Sequence, residues 1–187
     1  MVRDTDRRDG LAEAATDYVL DHGLIGLSLR PLAAALGTSD RMLLYHFGSK
    51  DDLVATVLRV SNDRAVVAVR ALEPARDVRT AVVRLWDAVT TPSLERCQRA
   101  YVEAAALGLF GREPYATVVG EANGSWMAAV ADHLVASGVP RGRAARVTTL
   151  VDAAFSGLLL DRPLEDDRRR RRAVRDLADA AAAVAAT

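Results

Sequence analysis

The sequence of 187 residues is half hydrophobic and 27% charged, which is typical of a folded protein with a sizeable core and excludes a disordered chain. Lysine plus arginine equals aspartate plus glutamate at 25 each, so bulk positive charge is excluded as a means of binding nucleic acid. No apolar run approaches the roughly 18 residues of a transmembrane helix. The first ten residues lack the apolar stretch of a secretory signal, and Cys97 is the only cysteine. We therefore expect a cytoplasmic protein without a membrane partner.

Apolar residues recur at helical spacing along most of the chain, and alternating strand patterns are nearly absent. The first helix is predicted from about Asp4 to His22, with Gly23 as its C-terminal cap. Ser28 is placed to cap a short second helix within SLRPLAAALG, and Gly37 ends that helix. The predicted fold class is therefore all-α.

Two more helices follow at once. The segment SDRMLLYHF predicts a third helix, in which Leu43 and Phe47 lie four residues apart, and Gly48 forms the break after it. Ser49 is placed to cap a longer fourth helix that begins near Lys50. Proline and glycine breaks then predict five further helices, near residues 76–90, 92–110, 114–137, 140–160 and 164–185. The total is about nine helices.

The second and third predicted helices, joined by a tight turn at Gly37, have the organisation of a helix-turn-helix. In that motif the first helix braces against the DNA backbone, and the N-terminal part of the second enters the major groove. Leu43 and Phe47 are predicted to anchor the third helix inward. The residues predicted to face base edges are Ser39, Asp40, Arg41 and Met42. A helix pair in a bundle that binds no DNA has a similar local pattern, so an interaction module stays open as an alternative.

The segment GLIGLSLRPLAAALGTSDRMLLYHFGSKDDL resembles the N-terminal domain of the TetR family of transcriptional repressors. The resemblance covers about residues 7–55 and rests on the glycine turn, the LAAALG core, the YHF block, and the SK pair followed by acidic residues and leucine. It implies DNA-contacting positions at Arg30, Thr38, Ser39, Asp40, Arg41, Met42, Tyr45, His46 and Lys50. Two positions depart from the family pattern: Leu44 stands where tyrosine is common, and Arg41 stands where many relatives have a small residue.

The expected roles of these positions differ. Arg41 and Asp40 are predicted to read bases, whereas Tyr45, His46 and Lys50 are predicted to contact phosphates. Other interpretations remain open. Tyr45 and His46 can simply pack against the first helix, Asp40 can be a charge favoured at a helix N-terminus, and Arg41 can be a solvated surface side chain.

Arg3, Arg7 and Arg8 near the start of the sequence are candidates for an arm that enters the minor groove. Aspartates alternate with them and dilute their positive charge. We therefore interpret this segment as a solvated helix end.

A sensor for a small molecule is predicted in the C-terminal two thirds of the chain, which contains most of the aromatic residues. The candidate ligand-binding residues are Trp86, Cys97, Tyr101, Phe110, Trp126, His133 and Phe155. Aromatic walls with few charges predict an apolar or aromatic effector, and His133 is the polar residue placed to orient it. The alternative is that these residues are plain hydrophobic core.

The predicted helix at 140–160 is apolar on more than one face, and one of these faces has no evident intramolecular partner. Ala153 and Gly157 are small enough to let a second copy of the chain approach closely. The resemblance to the TetR family implies a two-fold homodimer through the last two helices.

No catalytic or metal-binding pattern is recognised in the sequence. His22, His46 and His133 are scattered, and none lies at ligand spacing from another histidine, cysteine or glutamate. Glu103 and Glu121 fall on different predicted helices and do not indicate an acid–base pair. We expect no metal, no cofactor and no enzymatic activity.

Residues 1–49 are predicted to form a three-helix helix-turn-helix domain, and residues 50–187 a helical domain for effector binding and dimerisation. The predicted function is a ligand-responsive transcriptional regulator. It is expected to repress by binding a near-palindromic DNA operator as a homodimer, and to be released by the small effector. The alternative is a helical protein-interaction module, or a small-molecule-binding protein, that recognises no DNA sequence.

Overall fold

The computed structural model describes residues 2–161 and 166–187, and side chains from residue 6 onward within them. These residues form nine α-helices and one short 3-10 helix, and no strand occurs among them, which confirms the all-α prediction. The helices are α1 (Val2–His22), α2 (Leu29–Ala35), α3 (Asp40–Phe47), α4 (Lys50–Arg70), α5 (Val78–Val89), α6 (Pro92–Leu109), α7 (Tyr115–Ala136), α8 (Ala144–Leu160) and α9 (Asp167–Ala186), with the 3-10 helix at Arg141–Arg143.

Glycines end the helices where the sequence predicted breaks. Gly23 follows α1 with a φ of +90°, and its N–H donates to the Val19 carbonyl at 2.8 Å. Gly48 follows α3 with a φ of +84°, and its N–H donates to the Leu44 carbonyl at 2.8 Å. A side chain at either position would be strained, because residues with a Cβ rarely adopt a positive φ.

Serine caps fix where α3 and α4 begin. The Ser39 hydroxyl accepts a hydrogen bond from the Met42 N–H at 3.2 Å. Ser49 and Asp52 are paired twice at the start of α4: the Ser49 hydroxyl accepts from the Asp52 N–H at 3.0 Å and donates to the Asp52 carboxylate at 2.7 Å. Ser28 occupies the cap position of α2 in an extended conformation, but its side chain makes no cap hydrogen bond.

Two later helices begin after their predicted starts. The helix predicted at 140–160 begins at Ala144, because Pro140 and the 3-10 turn Arg141–Arg143 precede it. The helix predicted at 164–185 begins at Asp167, where the Asp166 carboxylate accepts from the Arg168 N–H at 3.0 Å. The predicted residues 164 and 165 lie outside the described part of the chain.

The described residues pack as two compact units. The first unit comprises the residues up to Ala65 together with Glu95–Asn123, and the second comprises Val66–Leu94 together with the described residues from Gly124 onward. Helices α4, α6 and α7 therefore contribute residues to both. The domain division at residues 49 and 50 stays a prediction.

Each unit has its own hydrophobic core. The first unit buries apolar side chains of α1 to α4 together with Ala104 of α6 and Val118 of α7. In the second unit α9 packs against α5 and α8. Its buried side chains include Val82, Leu85, Leu134, Val151 and Leu177.

Candidate functional site

Helix α3 is held to the first unit by one apolar face. Leu43 is fully buried and Phe47 is 6% exposed, and both belong to the core formed with α1, α2 and α4. Leu32 and Ala33 of α2 are buried in the same core. The anchoring predicted for Leu43 and Phe47 is therefore present, and it leaves the opposite face of α3 turned outward.

Arg41, Leu44 and Tyr45 form that outward face, since Leu44 and Tyr45 follow Arg41 by three and four residues on α3 and all three are exposed. Leu44 is 41% exposed and Tyr45 is 70% exposed. We call these three residues the outer face of α3. It combines a guanidinium, an aliphatic side chain and a phenol.

Asp40 is exposed at the first position of α3, and its Oδ1 accepts from the Arg41 N–H at 3.0 Å. This is the contact of an acidic residue at a helix N-terminus, the structural interpretation that the sequence left open. The other carboxylate oxygen remains available to a base edge. A role for Asp40 in reading bases therefore stays a prediction.

The other predicted contact positions border the outer face of α3. Arg30 of α2 is exposed, whereas Thr38 and Met42 are half-buried. Ser39 is exposed, but its hydroxyl is already engaged as the cap of α3. The hydroxyl keeps its own O–H donor, so a DNA contact by Ser39 stays a prediction.

His46 and Tyr45 contact each other edge to face, with ring centroids 5.1 Å apart. Arg8 of α1 joins them from the other side: its Nε donates to the His46 carbonyl at 3.2 Å, and its guanidinium lies 5.4 Å from the centre of the Phe47 ring. Arg8 is exposed, as predicted for a solvated helix end, and it also contacts the C-terminal turn of α3. The side chain of Arg3 lies outside the described residues.

Lys50 is exposed at the first position of α4, and its ammonium donates to the Leu27 carbonyl, just before α2. An ammonium has three donors, so this bond leaves two for a phosphate. The contact also links the start of α4 to the segment that precedes α2. Lys50 therefore has a structural role that the sequence did not predict.

Helix α6 supplies polar partners to the end of α1. The Oε2 of Glu103 accepts from the N–H groups of Leu24 and Ile25, each at 2.7 Å. The Arg99 guanidinium donates to the Leu20 carbonyl at 2.6 Å. Leu24 and Ile25 follow α1, and the Leu20 carbonyl lies in its last turn, where carbonyls lack partners within the helix. Sequence reasoning missed these residues, since no local pattern links positions 78 and 79 residues apart.

Two further pairs account for charges near these helices. Arg96 pairs with Asp21 at 2.6 Å, and Arg59 pairs with Glu121 at 3.1 Å. Glu103 and Glu121 thus each have a distinct partner, the first a backbone turn and the second an arginine. Neither arrangement resembles an acid–base pair.

Among the predicted ligand-binding residues, the second unit brings Trp86 of α5 and Phe155 of α8 together. Both are buried, and their rings meet edge to face with centroids 5.2 Å apart. Trp126 of α7 is half-buried, and its Nε1 donates to the Asp152 carboxylate of α8 at 2.8 Å. Sequence reasoning did not identify Asp152, although its charge inside an apolar helix was a visible signal.

His133 is 5% exposed in the second unit. Burial lowers the pKa of its imidazole, a hydrogen bond to the Leu72 backbone raises it, and the nearby charge of Arg84 lowers it; the net direction is downward. The Nε2 atom is buried and has no hydrogen-bond partner among the described residues. The ring is therefore neutral at pH 7 and presents an unsatisfied nitrogen.

The remaining candidates, Cys97, Tyr101 and Phe110, belong to the first unit. Cys97 is buried in a small cluster with Leu20 and Ala100, and Tyr101 is half-buried. Phe110 is 84% exposed just after α6. A ligand-binding role for these three residues stays a prediction. The exposed position of Phe110 does not support such a role for that residue.

Part of α8 faces away from the core of the second unit. Ala153, Gly157 and Leu160 are exposed there, whereas Val151 and Phe155 are buried. A Cβ built at Gly157 would have no neighbour within 4 Å among the described residues. This is the face for which the sequence indicated no intramolecular partner.

Two kinds of site are absent from the described part of the chain. No helix in it is both long and apolar enough to cross a bilayer. In residues 2–161 and 166–187, no three histidine, cysteine, aspartate or glutamate side chains are grouped so that they could hold a metal ion.

Comparison with known proteins finds a family model that matches the segment containing α2 and α3. Residues 11–57 match the model described as bacterial regulatory proteins, tetR family. This match includes all of α2 and α3 and the residues that border the outer face of α3. No curated protein matches the sequence significantly.

Solved structures of similar fold extend over nearly the whole chain. A protein from Rhodococcus sp., assigned as a TetR-family transcriptional regulator, is 24% identical with a TM-score of 0.69, covering 96% of this chain and 98% of that one. A transcriptional regulator from Saccharomonospora viridis, in complex with choline, is 21% identical with a TM-score of 0.69, covering 94% and 95%. The multidrug binding protein EbrR, complexed with imidazole, is 25% identical with a TM-score of 0.64, covering 92% and 89%.

Proposed function

We propose that the protein is a ligand-responsive transcriptional repressor rather than an enzyme, because residues 11–57 match the model of the tetR family of bacterial regulatory proteins. It acts in the cytoplasm, binds a near-palindromic DNA operator as a homodimer, and is released by a small effector. The observation that carries the proposal is the outer face of α3. That face turns Arg41, Leu44 and Tyr45 outward from a helix anchored by Leu43 and Phe47.

The residues around this face divide into base-reading and phosphate-binding positions. Arg41 lies in the first turn of α3, the part of a recognition helix that meets base edges, and a guanidinium pairs well with guanine. Tyr45 and Lys50 lie farther along, where a hydroxyl and an ammonium suit phosphate oxygens. DNA binding is therefore supported by the charges around this face. Such local charge is needed because the chain as a whole has no net positive charge.

Selection of bound sequences from a random duplex pool tests the DNA-binding proposal. We expect the wild-type protein to enrich a common sequence with two inverted halves, and its affinity for that sequence to fall as salt increases. Arg41→Ala in the same selection should enrich a less specific sequence. A pool that yields no common sequence would refute the proposed function.

The effector is proposed to bind in the second unit, against Trp86, Trp126, His133 and Phe155. Their aromatic rings favour an apolar or aromatic molecule. The Asp152 carboxylate beside Trp126 adds a partner for a cationic nitrogen, because an aromatic ring and a carboxylate together suit an organic cation. The choline and imidazole complexes of two similar structures support a small nitrogen-containing ligand.

Tryptophan fluorescence tests the effector proposal with benzyltrimethylammonium as the probe. We expect saturable quenching in the wild type, together with release of the selected operator. A neutral molecule of the same shape, with carbon in place of the nitrogen, is the matched control and should bind more weakly. Equal binding of both probes would contradict the proposal that Asp152 recognises a cationic nitrogen. Quenching without operator release would contradict the coupling between effector binding and DNA binding.

The homodimer is proposed to form through the exposed face of α8 together with α9. Ala153 and Gly157 permit close approach of a second helix, and the exposed Leu160 supplies apolar surface. A two-fold pair of helix-turn-helix units matches an operator with inverted halves. Sedimentation at micromolar concentration should give the mass of a dimer, and a monomer there would contradict this part of the proposal.

A further inference from the structure

Leu44 is an aliphatic side chain on a surface otherwise suited to polar contacts. It lies three residues after Arg41 on the outer face of α3 and is 41% exposed. The fully buried packing of α3 is provided by Leu43 and Phe47, and Leu44 lies at the border between this buried face and the outer face. The exposed part of the Leu44 side chain is therefore available for a contact outside the fold.

The chemistry of the major groove limits what Leu44 can contact there. Leucine has no hydrogen-bond donor or acceptor, whereas base edges in the groove present nitrogen, oxygen and amino groups. An apolar side chain pressed against those groups would displace water without replacing its hydrogen bonds. The C5 methyl group of thymine is the exception, because it is the apolar group exposed in the major groove.

We propose that Leu44 is a specificity-determining residue that packs against the C5 methyl group of a thymine. The inference rests on the proposed DNA-binding function. Leu44 follows Arg41 by three residues on α3, about one helical turn, so the thymine is expected close to the base pair that faces Arg41.

Leu44 cannot make the contact that the TetR resemblance implies for a tyrosine at position 44. A tyrosine at 44 would offer a hydroxyl to a phosphate, and leucine has none. Tyr45, the next residue, is 70% exposed and retains a phenol hydroxyl for that purpose. Tyr45 therefore contacts the DNA backbone, whereas Leu44 contacts a base.

Uracil substitution in the selected operator tests this assignment, because it removes the thymine methyl group and leaves base pairing intact. Each thymine of one half-site is replaced in turn. At one position we expect wild-type affinity to fall about fourfold, the contribution of one buried methyl group. The same substitution should leave the affinity of Leu44→Ala unchanged, since the methyl group then has no apolar partner.

Two variants control for indirect effects. Val67→Ala removes a similar aliphatic side chain, 66% exposed on α4 and outside the helix-turn-helix, and should keep the full uracil effect. Leu44→Met keeps an apolar side chain at this position and should keep most of the loss of affinity that uracil causes. This variant provides a test even if Leu44→Ala misfolds and loses binding for that reason.

The outcomes separate this inference from the function on which it rests. An operator in which no thymine responds to uracil, or in which Leu44→Ala responds as strongly as the wild type, would overturn the role of Leu44 alone. A selection that enriches no sequence would overturn the DNA-binding function itself, and the role of Leu44 with it.

Discussion

The carboxylate of Glu103 holds the backbone of Leu24, accepting that residue's N–H and the N–H of Ile25 through one oxygen at 2.7 Å each. The bond spans 79 residues and connects α6 to the turn between α1 and α2. Backbone groups in such a turn need a partner, and an ionised acceptor supplies a stronger bond than a neutral one. Glu103 is therefore part of what orients the helix-turn-helix.

Glu103→Ala should lower the free energy of unfolding by about 1 to 3 kcal/mol, because two N–H groups lose a charged acceptor. Glu103→Gln should cost less, since the amide oxygen still accepts. Glu121→Ala is the control: its ion pair with Arg59 is about half exposed on both sides, so its loss should cost no more than about 1 kcal/mol. Urea denaturation measures all three, and an equal cost for Glu103→Ala and Glu121→Ala would contradict the role of Glu103.

Lys50 and Arg41 should differ in what their removal does to DNA binding. Lys50→Ala removes a phosphate contact, so it should weaken binding about equally on operator and random DNA and lower the salt slope by roughly one unit per subunit. Arg41→Ala should cost about 1 to 3 kcal/mol per half-site on the operator and much less on random DNA.

Titrations of both variants on both DNAs at several salt concentrations check the contrast. Lys50 also donates to the Leu27 carbonyl, so the unfolding curve of Lys50→Ala is measured alongside. The assignment is refuted if Lys50→Ala loses specificity while Arg41→Ala loses only general affinity.

Gly157→Arg should break the proposed dimer without unfolding the protomer. The space around Gly157 is open within the described chain, so an arginine fits the isolated subunit, but in an apolar interface its charge would lose its hydration. Sedimentation should show a shift from dimer to monomer. Gly120→Arg, at another open helical glycine on α7, is the matched control and should remain a dimer.

Stability should decrease as the pH falls below about 6.5, the ordinary pKa of histidine, in part because of His133. The folded protein keeps this buried ring neutral through a lowered pKa, whereas the unfolded chain protonates it, so the unfolded state binds more protons in this range. The slope for one such proton is at most about 1.4 kcal/mol per pH unit. His133→Gln should flatten the dependence between pH 5 and 7 in urea titrations, and an unchanged slope would exclude His133 as its source.

The helix-turn-helix could be predicted from sequence because its signals are local. Ser39 and Ser49 lie beside the helices they cap, and Gly48 marks a positive φ that other residues avoid. Leu43 and Phe47 lie four residues apart, which is enough to identify the buried face of α3.

Other features could not be predicted, because they depend on contacts between distant segments. The bond from Arg8 to the His46 carbonyl spans 38 residues, and no pattern around Arg8 distinguishes it from a solvated arginine. The sequence also identified Trp86 and Phe155 as candidate ligand-binding residues without showing that their rings meet. Periodicity gives the face of a helix that is buried, but not its neighbour.

Lys50 has a further consequence, because it is the only lysine in the sequence. Apart from the α-amino group, an amine-reactive reagent can therefore modify a single side chain, the one that donates to the Leu27 carbonyl beside the helix-turn-helix. The labelling rate should therefore respond to a change in that contact or in the access to the amine. The chain thus carries a built-in chemical reporter at the place where DNA is proposed to bind, and bound operator should slow its reaction.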